Sequence, residues 1–387
     1  MHLGVFLYGL TGGGATRRVL TLAKGWAERG HRVDLVVVEP RGPLAEETEG
    51  LHLVPLDFGR FEKPLRRLPR RWRLFWSRFP LAGYLRTVQP DLLLSAANHA
   101  HLPALAAKRM ARSRVPLVLR LSNHLSGSAR GGAGLKRLWN SLRLGIIKHR
   151  YREADFAIAV CEDVRRDFLA LVPYPRAQTA VVYNPIEIER IRRLAREEVP
   201  HPWFHPKETP IILGAGRLSP QKDFATLIRA LAVLKDRTPA RLIILGRGKQ
   251  KKALEKLVRK LALEDRVDLP GFTLNPWAYM ARADVFVLSS RWEGLPGVLL
   301  EALTVGCPVV STDCPGGARE ILADGRYGPL VPVGDPKALA EAILQVLENP
   351  PPREILRKRA EEFDSPRAIA AYLEIFERLK PPKAGVP

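Results

Sequence analysis

The sequence predicts an α/β fold of two doubly wound parallel-sheet domains, and three observations carry that reading. Short apolar strands alternate with amphipathic helices along most of the chain, the order that gives parallel sheets covered by helices on both faces. The 387 residues are too many for one typical domain and suit two of roughly 150–200 residues each. Between the two series lies 199–210, a stretch with four prolines that reads as a linker.

In the first series, 3–8 reads as a buried strand entering a glycine turn. Residues 16–29 follow as an amphipathic helix, with Val19, Leu20, Leu22, Ala23 and Trp26 near helical spacing. Gly30 ends that helix, and 31–38 is the second strand. Further strands are expected at 91–95, 117–121 and 156–160. In the second series, strands at 211–216, 241–246, 267–269, 284–289 and 308–311 alternate with helices at 223–235, 249–263, 277–281 and 297–305. The domains are therefore 1–198 and 211–363. They are expected to face each other across a cleft lined by loops at the carboxyl ends of the strands, where such sheets bind ligands. His201 and His205 stand four apart in the linker, but Pro202 and Pro206 prevent a helix from presenting both to a metal.

Composition narrows the function classes. No run of 18 apolar residues is present, so no segment is expected to span a membrane. Residues 1–10 are apolar, yet no basic stretch precedes them and no small-residue cleavage site follows. A first strand explains them better than a signal peptide, and a cytoplasmic protein is expected. Three cysteines, Cys161, Cys307 and Cys314, make no disulfide framework and read as inert thiols. The net charge of +22 is unusual and unevenly placed: 60–152 holds 21 Lys and Arg against two acidic residues, Glu62 and Asp91. That asymmetry describes a surface rather than a fold.

The strongest chemical signal runs Ser289-Ser290-Arg291-Trp292-Glu293-Gly294-Leu295-Pro296-Gly297-Val298-Leu299-Leu300-Glu301-Ala302. A strand ends at Ser289 and a helix opens near Pro296, and proline suits a first helical position because no amide hydrogen is needed there. The turn Gly294, Leu295, Pro296, Gly297 thus leads into free N–H groups and a positive dipole end, a seat for phosphate. Glu301, in the second turn, can accept hydrogen bonds from two adjacent ribose hydroxyls. Glu293, in the loop before, sits where sugar hydroxyls would meet that seat. Two glutamates eight apart are by themselves no more than a solvated helix face.

A second motif changes the balance. Gly216 opens a loop after a strand, and the loop carries two cations five apart, Arg217 and Lys222. A departing diphosphate needs its developing charge neutralised. The chain has no Asp-x-Asp to hold Mg²⁺, and two cations with a helix N-terminus can do the same electrostatic work. No metal and no cofactor is expected, and a nucleoside-diphosphate sugar is the expected substrate.

With these motifs in place the chain resembles the retaining glycosyltransferases of family 4, which have the GT-B fold. The matching residues are Gly216-Arg217-Leu218, Lys222-Asp223-Phe224, Leu245-Gly246-Arg247-Gly248, Ala283-Asp284-Val285-Phe286-Val287-Leu288-Ser289-Ser290, Glu293-Gly294-Leu295-Pro296 and Leu299-Leu300-Glu301-Ala302. Val309-Val310-Ser311-Thr312-Asp313-Cys314-Pro315 and Leu330-Val331-Pro332-Val333-Gly334-Asp335 follow in the same order, so the likeness covers most of 211–345. The first half matches more loosely, at Gly12-Gly13-Gly14-Ala15-Thr16 and Ala27-Glu28-Arg29-Gly30-His31-Arg32-Val33. The resemblance implies that Arg217 and Lys222 meet the diphosphate, Glu301 the ribose and Glu293 the donor sugar. It also implies that Gly13 and Gly14 let the first loop approach the donor phosphates, and that a helix at 364–380 packs back on the first domain.

Where relatives carry a sugar-side histidine, this chain has Arg120-Leu121-Ser122-Asn123-His124, which makes His124 the candidate; His99 and His101 are weaker. Many relatives carry Asn after the motif proline. Gly297 stands there, leaving only a backbone contact. The local pattern is similar to enzymes that build bacterial lipid-linked glycans. The implied reaction transfers a hexose or N-acetylhexosamine, with UDP as the expected nucleotide, to a glycan or lipid-linked acceptor with retention of configuration, in assembly of cell-surface polysaccharide or glycolipid. No covalent carboxylate nucleophile is evident, which points to attack on the face the leaving group departs from. A same-architecture epimerase and a non-catalytic nucleotide-sugar binding protein are the alternatives. Intact Arg217, Lys222, Glu293 and Glu301 count against the binding protein, and the match around 293–301 favours transfer over epimerisation.

The basic region 60–152 interleaves cations with large aromatics, among them Trp72, Phe75, Trp76, Phe79 and Trp139. Such segments suit an anionic membrane surface, with cations on head groups and rings at the interface. The expectation is peripheral attachment to the inner face of the cell membrane. Nucleic acid is not an expected partner, because no nucleic-acid module signature is present.

Overall fold

The structure, a computed structural model, describes residues 1–10, 14–129 and 135–380, with side chains except at Arg66 and 128–141. The chain divides into two compact units. One comprises 1–185 with the C-terminal segment from Ser365, and the other Ile186–Asp364.

The first unit is built on a seven-stranded parallel sheet in the order β3-β2-β1-β4-β5-β6-β7. Its strands are β1 (His2–Gly9), β2 (Arg32–Glu39), β3 (His52–Pro55), β4 (Leu92–Ser95), β5 (Leu117–Leu121), β6 (Phe156–Ala159) and β7 (Thr179–Val181). Every residue of β4 and β5 is buried, so these strands read as apolar runs broken only by the buried Ser95 and Arg120 rather than as alternating patterns. The core on one face gathers around Trp26, whose ring meets Tyr372 and Phe376 at centroid distances of 5.6 and 5.2 Å. Those two rings stand on the helix Ser365–Leu379, so the end of the chain completes the core of the first unit.

The second unit holds a six-stranded parallel sheet in the order β10-β9-β8-β11-β12-β13. Its strands are β8 (Ile211–Ala215), β9 (Arg241–Leu245), β10 (Val267–Gly271), β11 (Val285–Leu288), β12 (Val309–Thr312) and β13 (Leu330–Val331). The helices Phe224–Leu234 and Pro336–Glu348 pack together over it through Leu227, Leu231, Leu339 and Ile343. The chain leaves β8 for β9 on one side, and β11 lies on the other. The exits of β8 and β11 are therefore neighbours at a topological switch point, where open α/β sheets bind ligands.

Several boundaries differ from the sequence reading. The first helix spans Gly14–Ala27 and begins two residues early. The chain crosses between units at 185/186 and again at 364/365, and 199–210 belongs to the second unit. The cause is the aromatic and histidine content among its prolines. His201 is buried and its Nε2 lies 2.9 Å from Asp268, while its ring meets Trp203 and Phe204. Arg241 covers Trp203 in turn, so the segment is pinned rather than free. Strands β3, β7 and β13 are absent from the sequence reading: they are short edge strands with partly exposed residues, so they lack the apolar run that marks a buried interior strand.

Candidate active site

In the second unit the sheet brings the two separate motifs together. The loop after β8 supplies Gly216, Arg217 and Lys222; the loop after β11 supplies Glu293. Lys222 Nζ donates to Glu293 Oε1 at 2.6 Å, across 71 residues of sequence. Ser290 Oγ donates to the same oxygen at 2.6 Å, and Gln221 Nε2 ties the loop by donating to the Trp292 carbonyl at 2.8 Å. The two loops are braced once more where Arg291 Nε donates to Asp223 Oδ2 at 2.9 Å and Ser289 Oγ to the Lys222 carbonyl at 2.8 Å. Glu293 is 7% exposed, so a buried carboxylate is held by one cation and one hydroxyl, with the Gln221 amide at 3.5 Å from its other oxygen, at the mouth of the switch point. Arg217 is exposed in the same loop, where an anion from solvent can reach it.

Two glycines make the approach possible. A Cβ on Gly246 would lie 1.9 Å from the Gly216 carbonyl oxygen, so the exits of β8 and β9 touch only because no side chain stands between them. Gly316, at φ +129, lies against the carbonyls of Glu293 and Gly294, where a Cβ would come within 2.8 Å of both oxygens. That contact and the bond from Gly317 N–H to Gly294 O at 2.6 Å press the 293–297 turn into place.

The helix after this turn is Gly297–Thr304, with Pro296 as its N-cap. Pro296 therefore stands one residue outside the helix rather than at its first position. The benefit is unchanged, because proline again asks for no amide partner. The Leu299 amide turns back to the Pro296 carbonyl at 3.0 Å, and no side-chain cap closes the helix start, so the positive end of the dipole at Gly297 and Val298 can receive an anion. Glu301 is buried in the second turn of this helix, and Leu295 and Pro296 are buried before it. Arg217, Lys222, Glu293, Glu301, Gly216 and the Gly294–Gly297 turn thus all belong to one end of one sheet.

The first unit holds the remaining candidates. Gly13 lies outside the described residues, and Gly14 opens the first helix. His124 follows β5 and is buried, with Nε2 2.7 Å from Asp163 and Nδ1 3.3 Å from Asp167. Burial opposes protonation, but the hydrogen bonds from the two carboxylates outweigh it and push the imidazole up to about 9. Both ring nitrogens of this sugar-side candidate are engaged by carboxylates of one helix. Its charge clamps the turn after β5 onto the helix Glu162–Leu171. His101 is fully buried and bonded to Ser95 Oγ at 2.8 Å, and His99 accepts from Arg70.

Ser290 and Gln221 were not legible as site residues, although the Ser-Ser pair at the strand end is the signal that could have marked the first. Burial pushes the Cys307 and Cys314 thiols up to about 12, and Cys161 is buried, which makes all three inert. Among the described residues, no group of three His, Cys, Asp or Glu side chains converges as metal ligands, and no helix is long and apolar enough to cross a membrane.

The basic region splits into two faces. Trp72, Phe75, Trp76 and Phe79 are exposed, and Arg78 packs its guanidinium over Phe75 at 3.7 Å. Arg73, on the same helix, turns inward, is 8% exposed and donates to Glu39 at 2.8 Å. The side chains of Arg66 and Trp139 lie outside those described.

Two parallel-sheet units of this topology, with a cation-lined switch point in the second, have the GT-B architecture. Solved structures agree on the fold. The sucrose-phosphate synthase of Thermosynechococcus elongatus superposes with a TM-score of 0.80 at 20% identity, covering 98% of this chain and 99% of that one. Anabaena HepE in complex with UDP-glucose gives 0.76 at 22%, covering 97% and 99%. In sequence, the model for glycosyl transferases group 1 matches residues 195–363 and that for glycosyltransferase family 4 matches 12–190. The N-acetylgalactosamine-N,N'-diacetylbacillosaminyl-diphospho-undecaprenol 4-alpha-N-acetylgalactosaminyltransferase of Campylobacter jejuni is 30% identical over 360 residues, covering 92% of this chain and 93% of the relative. The chain belongs to the family 4 glycosyltransferases, and it is an enzyme of that class.

Proposed function

We propose that this enzyme transfers a hexose or N-acetylhexosamine from a UDP-sugar to a glycan or lipid-linked acceptor, with retention, in assembly of a cell-surface polysaccharide or glycolipid. The observation that carries the reading is the Lys222–Glu293 pair beside the open helix start at Gly297. It sets a cation for phosphate against a carboxylate for sugar hydroxyls. In this reading Arg217, Lys222 and the first-turn amides take up the charge of the departing diphosphate, with no divalent metal. Glu301 receives the ribose hydroxyls, and Glu293 orients the transferred sugar. Glu293 is already held by Lys222 and Ser290, so it serves as an orienting group rather than a nucleophile. The acceptor then attacks on the face that the phosphate leaves.

UDP is favoured because HepE, of the same fold, binds UDP-glucose. A lipid-linked acceptor is favoured because the Campylobacter relative acts on a diphospho-undecaprenol. Attachment to an anionic membrane is part of the proposal, through the exposed Trp72, Phe75, Trp76 and Phe79 and the cations around them. A thermal-shift screen of UDP-, GDP- and ADP-sugars tests the donor. Stabilisation by a UDP-sugar above the others is expected, and preference for GDP- or ADP-sugars would overturn that part. Nuclear magnetic resonance of the product's anomeric proton tests retention.

A further inference from the structure

The first unit carries a cavity of about 470 Å³ that no motif pointed to. It opens where β2 and β3 end, and its volume lies within the range of about 300–1,000 Å³ usual for small-molecule sites. Glu39, Arg41, Asp57, Glu62 and Arg73 supply its polar lining, and Val38, Pro40, Pro55 and Leu56 its apolar faces. The floor is built rather than incidental. Arg73 donates to Glu39 Oε2 at 2.8 Å and to the Val38 carbonyl and the Tyr8 hydroxyl, both at 3.4 Å.

The lining chemistry selects a ligand class. Three carboxylates and two guanidiniums give acceptors and donors side by side, with no excess of positive charge to hold a diphosphate. Proline and leucine surfaces beside them offer contact to flat apolar faces. A neutral saccharide has that combination, with hydroxyls that both donate and accept on a ring with apolar faces. Its place in the fold adds a second argument. The helix Arg70–Trp76 that sends Arg73 into the cavity exposes Trp72, Phe75 and Trp76 on its outer side.

We propose that this cavity binds a sugar ring of the acceptor, with Glu39 and Arg73 as its hydrogen-bonding floor and Arg41 and Asp57 at its rim. The inference rests on the glycan-acceptor reading above and gives that acceptor a specific seat. One helix then joins the two ends of a lipid-linked acceptor: its inner face holds sugar, and its outer face lies toward the lipid surface.

Saturation-transfer difference NMR with free glucose, galactose, N-acetylglucosamine and N-acetylgalactosamine, each titrated into the whole enzyme saturated with UDP, tests the assignment. At least one sugar should bind. Glu39→Gln should weaken it by about tenfold, the scale of losing one hydrogen bond to a charged group. Arg41→Ala, at an exposed position remote from the core, should weaken binding as well and keeps the test decisive where Glu39→Gln fails to fold. UDP affinity should be unchanged in both variants. Equal sugar binding by wild type and Arg41→Ala, with Glu39→Gln either equal or unfolded, would overturn this cavity and leave the glycan-acceptor reading intact. Binding of none of the four sugars to the wild-type enzyme would count against both.

Discussion

Replacing Lys222 by methionine removes the cation at the centre of the site while keeping most of the side-chain volume. In the wild type, Lys222 Nζ lies 2.6 Å from Glu293 Oε1, and both side chains are largely buried. The structural cost follows from what remains. Glu293 keeps Ser290 as a donor at 2.6 Å, so it is underpaired rather than abandoned, and a loss of about 1–3 kcal/mol in stability is expected. The catalytic cost should be larger in proportion. Removing one charge-stabilising donor from a preorganised site typically lowers kcat by about 10²–10³. The assay is release of UDP from the preferred UDP-sugar in the presence of acceptor, with thermal unfolding of the same preparation to separate folding from chemistry. A double-mutant cycle with Glu293→Gln adds the coupling: side chains in direct contact should show a non-additive stability change of about 0.5–3 kcal/mol. A folded Lys222→Met enzyme with kcat within about threefold of wild type would refute the reasoning, because the scale expected for a lost phosphate donor is far greater.

Three other outcomes are expected. Chelation with EDTA should leave turnover unchanged, measured as UDP release before and after addition; abolition restored by Mg²⁺ or Mn²⁺ would place the leaving-group charge on a metal. Anionic liposomes should sediment the protein at low salt and release much of it at high salt, since each cation near the surface contributes about 1 kcal/mol within a Debye length. Changing Lys63, Arg67 and Arg71 to Glu should weaken this binding; Arg73 is left alone because its side chain is buried against Glu39. Equal binding to neutral liposomes would remove the electrostatic account. Finally, His124 is raised to about 9 when folded, from 6.5, so its contribution to stability is complete below about pH 6.5 and lost as pH rises through about 9. Urea unfolding at pH 6 and pH 9.5 should show a fall on the order of 3 kcal/mol at most. A His124→Phe variant should lack that part of the slope, and an unchanged slope would show that the carboxylates do not hold an imidazolium.

The sequence by itself determined the fold class and the donor-side motifs. Buried parallel strands show continuous apolar runs such as Leu35–Val38 in β2, and the helix before it shows its period in Val19, Leu20, Ala23 and Trp26, so local pattern suffices. Arg217 and Glu293 were visible because each sits beside a turn glycine, Gly216 and Gly294, and Lys222 and Glu301 because they stand at fixed spacing from those turns.

What the tertiary structure decided was who meets whom. Lys222 and Glu293 are joined by strand order: β11 lies beside β8 only because the chain reverses direction across the sheet, and a sequence pattern does not encode that neighbour. The same holds for His124, whose charge is set by Asp163 and Asp167 some forty residues later. It holds too for Arg73, one arginine in a basic run that turns inward because Glu39 stands at the end of β2. The proline-rich 199–210 segment looked like a linker for a related reason. Local rules score its prolines, while its place in the second unit is fixed by Asp268 and Arg241, which approach it from the sheet. Short-range periodicity records which face of an element is buried. Charge state and partnership depend on groups that arrive from elsewhere in the chain, and only folding brings them close enough for their fields to be felt.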